Sequence, residues 1–213
     1  MQSNSLRRSS LQAFVEAAAN GTDILLRSLT RADQLIGSFK RVAVDQSSDL
    51  RRRFDLATVL QEVCTTLAPM YRKTSCTLDV EAPPDIEMDS FPGALGQCIT
   101  NFVSNSLQHA FEGRPNGRMR LVASVLDTDR VRLVYSDDGS GMTPATLKRV
   151  FDPFFTTKLG QGGSGLGMNI VYNIVHEVLG GSIVIDSAPE HGTRITLELP
   201  RRAPDAAAEN VLD

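Results

Sequence analysis

Two runs of alternating polarity, Met119–Val125 and Val131–Ser136, are linked through Asp127-Thr128-Asp129. Strand side chains point to opposite faces with a period of two, so each run offers one face to a core and one to water. A polar link this short brings the runs together as an antiparallel hairpin. A lone hairpin is marginal in water, and its apolar face needs a covering layer. The flanking sequence supplies one. A short strand at Phe54 leads into a helix through Leu67, a second helix starts near Pro92 with Ser90 as its N-cap, and a third runs over Leu166–Leu179. Further strands are read at Thr77–Val80, Ser182–Ser187 and Thr193–Leu199, with a turn at Ala82-Pro83-Pro84-Asp85. The class is therefore α/β: two layers, a mixed and mostly antiparallel sheet with helices on one face.

A different pattern precedes this domain. From Leu6 to Val44 there is no proline, and Phe14, Gly21, Ser28, Leu35 and Val42 recur every seven residues. Leu11, Ala18, Leu25, Ala32 and Phe39 form the companion row, so one apolar stripe follows a long N-terminal helix. One striped helix is not stable alone and needs partners, either its own domain or a helix bundle. Asp45-Gln46-Ser47-Ser48-Asp49 reads as a hinge, and Arg51-Arg52-Arg53 as a solvated linker or a polyanion site. The expected plan is a helix in 1–45, a linker in 46–53, the α/β domain in 54–202 and a disordered tail in 203–213.

Composition removes several classes of function. A net charge of -3 gives no overall attraction for nucleic acid or anionic lipid. No stretch approaches the ~20 apolar residues of a membrane span, and the first ten residues lack a signal-peptide core. Cys64, Cys76 and Cys98 show no C-x-x-C spacing, so reduced thiols in a cytoplasmic setting are expected, and no zinc site.

Three places carry chemistry. On the helix after Pro92, Gln97, Asn101, Asn105 and His109 stand at i+4 steps, each about 40° further round, and form one polar line. Alone this is a wet face, yet it offers amide oxygens suited to Mg2+ rather than the usual lysines and glutamates. Asp137-Asp138-Gly139-Ser140-Gly141 follows an apolar strand. It reads as a turn, or as a place where backbone approaches a ligand and an aspartate accepts a hydrogen bond from an exocyclic amine. Gly160 to Gly167 runs into an apolar helix and exposes amides to a phosphate, or is a flexible link.

The order of these segments, with Phe151-Asp-Pro-Phe-Phe-Thr-Thr-Lys158 between the last two, resembles the histidine-kinase branch of the GHKL ATPase superfamily over roughly Phe54 to Pro200. Asn101–Asn105 is similar to its N box, Asp137–Gly141 to G1, Phe151–Lys158 to the F box, Gly163–Gly167 to G2, and Gly192-Thr193 to the last glycine motif. The resemblance implies a GHKL-type two-layer sandwich with an ATP site beneath a mobile lid at about Asp152 to Ser164. It implies Asn105 as ligand of the Mg2+ that bridges the phosphates, Asn101 beside it, and Lys158 meeting the phosphates on closure. These three would be the catalytic residues. Asp137 would read the adenine amine, Gly139 and Gly141 would admit base and ribose, and Thr193 would support the pocket. Gly165 and Gly167 would present amides to the phosphates, with Phe154, Gly163 and Leu166 also against the nucleotide. His109 would lie near the nucleotide or be an ordinary surface histidine.

The N-terminal helix resembles the second helix of a kinase dimerisation bundle. The histidines, His109, His176 and His191, all lie within or after the nucleotide motifs. The resemblance thus implies a fragment, with the phosphoacceptor on a missing first bundle helix, and no autophosphorylation in isolation. It further implies a response regulator as partner, a homodimer through the N-terminal helix, and a cytoplasmic location or the cytoplasmic part of a membrane-attached kinase. An anti-sigma-type serine kinase of the same superfamily, and a nucleotide-binding interaction module without transferase activity, are the alternatives.

Overall fold

The hairpin forms, β4 (Arg118–Val125) against β5 (Arg130–Asp137), at the middle of a five-stranded sheet. The computed structural model describes residues 11–22, 50–158 and 163–205. The chain divides into two compact units between Val44 and Asp45. In the first, residues 11–22 form a helix, α1, on which Leu11, Phe14 and Val15 are each more than half exposed. The rest of the heptad stripe, Leu25 to Val42, lies outside the described residues.

The second unit begins with β1 (Arg52–Asp55), α2 (Leu56–Arg72) and β2 (Thr77–Glu81). Next come β3 (Glu87–Ser90) and α3 (Pro92–Asn105), which widens into a π turn at Ser106–Ala110. After β5 lie a short α4 (Pro144–Leu147) and α5 (Gly167–Asn173), the latter continuing as a π turn over Ile174–Val178. β6 (Ser182–Ser187) and β7 (Thr193–Pro200) complete the sheet, in the order β2-β4-β5-β7-β6. Only the β2–β4 pair is parallel, which gives the mixed, mostly antiparallel sheet expected.

Alternation decides which face is dry. Met119, Leu121, Val131, Leu133, Tyr135 and Leu197 are all at most 1% exposed, against Leu60, Leu95, Ile99, Phe102 and Val175 of the helices. On the opposite face Arg120 pairs with Glu81 and Arg132 with Glu198, each at 2.7 Å. Exposed pairs of this kind add little stability, because water screens both partners.

Asp55 caps α2: its carboxylate accepts from Thr58 N–H at 2.8 Å, and this bond holds its carboxyl below the usual range. The helix passes the expected end at Leu67 and accommodates Pro69. Proline forfeits one intrahelical bond in the last turn, and burial of Ala68 and Tyr71 offsets the loss.

Three expectations at the domain edge are corrected. Ser90 is not a helix cap; it is buried in β3, and Phe91 caps α3 without a side-chain bond, ahead of Pro92. Arg52 and Arg53, expected in the linker, open β1 and pair with β3, while Arg51 forks onto Asp89 through Nε at 2.9 Å and Nη2 at 3.2 Å. The tail is ordered at its start: Ala203 is 2% exposed and donates its N–H to Asp89 O at 2.9 Å, and Asp205 pairs with Arg51. An unpaired edge at β3 is satisfied in this way. Residues 206–213 lie outside the described residues.

Candidate functional site

Helix α3 buries Leu95, Cys98, Ile99, Phe102 and Val103 almost completely. Its other side is not wet, since Gln97, Asn101, Asn105 and His109 are all half-buried, and α5 packs on α3. Asn101 donates Nδ2–H to Gln97 O at 3.0 Å, which leaves Oδ1 free to face the start of α5. A Cβ added at Gly167 would stand 2.8 Å from Asn101 Oδ1 and 3.9 Å from Asn105 Oδ1. Any larger residue at this helix start would fill the space before the two amide oxygens.

The π turn that prolongs α3 inserts one extra residue per turn, with Phe111 N–H reaching back to Ser106 O at 3.0 Å. Ser106 is thereby buried, and its Oγ donates to Asp137 Oδ2 at 2.8 Å. At the end of β5 the Asp137 carboxylate also accepts from the Gly139 amide on Oδ1 at 3.0 Å and from the Thr193 amide. Burial pushes this carboxyl above the usual range, and those three donors oppose the rise. Its neighbour Asp138 is exposed and turns away to accept from Arg118 N–H.

The glycines beside Asp137 are needed for close packing of backbone. Gly192 has φ +69°, and a Cβ there would overlap the Asp137 carbonyl oxygen; Gly141, at φ +65°, would overlap that of Ala188. Ser187 ties the two together, its Oγ accepting from Met142 N–H at 2.9 Å and donating to Gly192 O at 2.7 Å, with Thr193 Oγ1 at 3.1 Å. Gly139 packs against Ala110, with a built Cβ 2.7 Å from its carbonyl oxygen. The segment after β5, the turn before β7 and the end of α3 are thus held as one wall.

The segment leading out of α4 lies against the same π turn. Lys158 Nζ sits 2.7 Å from Glu112 Oε2 and also donates to Gln108 O. Thr157 Oγ1 is 3.2 Å from His109 Nδ1. Gly165 abuts Phe154, which holds φ +65°, and a Cβ at Gly163 would stand 2.6 Å from Thr156 Oγ1. The two ends of the expected lid therefore meet; residues 159–162, with Gly160 and Gly162, lie outside the described residues. Leu166 N–H is 3.3 Å from Ser164 Oγ at the entry to α5, and Asn169 Nδ2 donates to Phe151 O at 3.1 Å.

Burial, then the nearby Lys158 charge, lowers the pKa of His109 below its ordinary 6.5, with Glu112 opposing. The ring is therefore neutral at pH 7. A depressed histidine lets the unfolded chain take up a proton first, so its share of stability is present above 6.5 and lost as pH falls below that value. Urea melts at pH 7.5 and 5.5 should show a loss that is smaller in His109→Gln; equal losses in both proteins would contradict this.

The structure groups the residues singled out from sequence into three sets. Asn101, Asn105 and Gly167 face one another, Asp137, Gly139, Gly141 and Thr193 form the wall, and His109 and Lys158 meet on the π turn. Sequence reasoning missed Ser106, Glu112 and Ser187; a serine directly after Asn105 was the one available signal. Among the described residues, no three His, Cys, Asp or Glu side chains gather to chelate a metal. Two converging amide oxygens instead suit a hard cation that keeps several waters and takes the rest of its ligands from a phosphate substrate. Cys64 and Cys98 are poor nucleophiles, because burial pushes their thiols up to about 11 and about 12.

A profile of the family described as histidine kinase-, DNA gyrase B-, and HSP90-like ATPase matches residues 92–203. Sporulation kinase B of Bacillus subtilis is 25% identical over 190 residues, which is 89% of this chain and 42% of that protein. Sensor histidine kinase ZraS of Salmonella typhimurium is 38% identical over 109 residues, 51% of this chain and 22% of that protein. The chain spans less than half the length of these curated relatives. Among solved structures, the catalytic domain of histidine kinase ThkA in a nucleotide-free form matches with a TM-score of 0.63 and 26% identity, covering 72% of this chain and 97% of that one.

Proposed function

The chain belongs to the histidine kinase-, DNA gyrase B- and HSP90-like ATPase family, and we propose that it is the ATP-binding catalytic part of a two-component sensor histidine kinase. The observation that carries this reading is the pairing of Asn101 and Asn105 amide oxygens across Gly167 with a half-buried carboxylate at Asp137 that accepts from Ser106 and Gly139. One end fits the metal and phosphates of ATP, the other its 6-amino group.

Phosphoryl transfer asks a protein for positioning and charge compensation more than for covalent chemistry. Asn105 would hold Mg2+, with Asn101 beside it, and the ion would neutralise phosphate charge. Asp137 accepts from the adenine N6 amine, and Gly165 and Gly167 offer backbone N–H groups to the phosphates. Lys158 leaves Glu112 for the γ-phosphate as the lid closes, and neutral His109 is able to donate without adding charge. The bond from Pγ to the bridging oxygen breaks, a bond to an imidazole nitrogen of the acceptor histidine forms, and ADP departs. That histidine belongs to a first bundle helix outside this chain. A response regulator then receives the phosphoryl group, and the N-terminal helix contributes to a homodimer, in the cytoplasm.

Titration calorimetry with a non-hydrolysable ATP analogue tests the site, and binding strengthened by Mg2+ is the expected result. Absence of binding in either condition refutes the nucleotide site. Supplying a protein that carries the missing helix should yield acid-labile phosphate; acid-stable phosphoserine would refute the histidine-kinase assignment.

The Lys158–Glu112 pair competes with ATP for the lysine. Half-exposed ion pairs are worth about 0–1 kcal/mol, so Glu112→Ala should tighten ATP binding by about two- to fivefold, and Lys158→Ala should weaken it. Equal affinities in Glu112→Ala and parent would mean that the pair does not restrain the lysine.

A further inference from the structure

Behind Asp137 lies a chain of buried hydroxyls that the reading above does not use. Tyr135 is 1% exposed and Ser106 2%. Ser106 Oγ gives its one proton to Asp137 Oδ2 at 2.8 Å, so the Tyr135 hydroxyl, 2.7 Å from Ser106 Oγ, is the donor in that contact. Burying two hydroxyls against a half-buried carboxylate is costly unless every member is satisfied, and here each one is. Core packing does not call for them. The Tyr135 ring rests on Phe102 at 5.4 Å between centroids, a contact phenylalanine would keep, and alanine at Ser106 would leave the helix intact.

Donors fall on both oxygens of Asp137, from Gly139 N–H on Oδ1 and Ser106 on Oδ2. This fixes the carboxylate plane and keeps both oxygens acceptors. Burial works against that state, since it favours the neutral acid. A protonated Asp137 would carry an O–H able to donate to the 6-oxo group of guanine or hypoxanthine, whereas the carboxylate repels that oxygen and accepts from a 6-amino group.

We propose that Tyr135 and Ser106 are positioning residues for base selection, a relay that holds Asp137 as a fixed acceptor and so makes the site prefer 6-aminopurine over 6-oxopurine nucleotides. The proposal rests on the reading of this site as a nucleotide site. It extends the role of Asp137 to two residues that do not touch the nucleotide.

The test uses the full chain with Mg2+, and measures affinities for ATP and ITP, which differ at the base only in the hydrogen-bonding edge around the 6-position. The loss of a hydrogen bond to a charged group changes affinity by roughly tenfold. Ser106→Ala should lower the preference for ATP over ITP by about tenfold, and Tyr135→Phe, one bond further away, by about threefold. Both should keep the parent circular dichroism, and Tyr135→Phe carries the test alone should Ser106→Ala fail to fold. An unchanged ATP/ITP ratio, or equal weakening of both nucleotides, would overturn the relay while parent binding of ATP leaves the site itself standing. A parent that binds neither nucleotide overturns the site, and the relay with it.

Discussion

Asp137→Asn is expected to weaken ATP binding by roughly 100-fold, the upper range for a hydrogen bond to a charged group, while leaving the fold in place. Shape is conserved, yet asparagine has one acceptor where aspartate has two. Its amide nitrogen must point either at the Ser106 hydroxyl, which would have to turn round and accept, or at the Gly139 amide, which can only donate. The first orientation reverses the Ser106–Tyr135 hydrogen bonds and the second sets two donors against each other, and both leave the base facing a neutral amide in place of a charged acceptor. Stability gains something in return, because a carboxylate that burial disfavours has been removed. Thermal melting within a few degrees of the parent, with lost nucleotide binding by calorimetry, is the pattern anticipated. Undiminished binding would mean that Asp137 does not read the base.

Gly192→Ala should have the largest effect on folding. The position combines φ +69° with a backbone neighbour, the Asp137 carbonyl, in the space a Cβ would occupy. A flexible side chain can yield, but here two ladder-bonded strands would have to part, since Asp137 and Thr193 are register partners in the β5–β7 pair. Strain and displacement together cost about 2–4 kcal/mol, visible as a shift in urea midpoint at unchanged slope. Loss of nucleotide binding should accompany it, because the shift moves the end of β5 that carries Asp137. A variant as stable as the parent would show that this wall relaxes freely.

Local patterns were readable where one force dominates. The hairpin follows from strict alternation; β4 begins one residue earlier than the run, and β5 is longer by one residue at each end. The amide line was legible because i+4 spacing is a property of any helix. What escaped needed knowledge of the third dimension. Pro69 signals a break in α2, but burial of Ala68 and Tyr71 outweighs it. β3 reads Glu-Met-Asp-Ser, poor strand formers, and exists because Met88 and Ser90 face inward while β1 and the segment after β7 satisfy its edges. The π turns leave no mark on a 3.6-residue pattern, so the inward swing of Ser106 was invisible. Lys158 was placed with the phosphates from its motif, and its pairing with Glu112 had no local signal.

Arg51 and Asp205, joined by an ion pair, stand where the chain enters and leaves the α/β unit. Arg51 is tied to β3 by its fork onto Asp89, and the outgoing segment by the Ala203 amide bond to the same residue. A unit whose two ends share one anchoring point can be spliced into a host loop, or have its termini joined and reopened elsewhere, without stretching its core. Asp89 is then the seam of a transplantable cassette, and the nucleotide wall at the far ends of the motifs would travel with it intact.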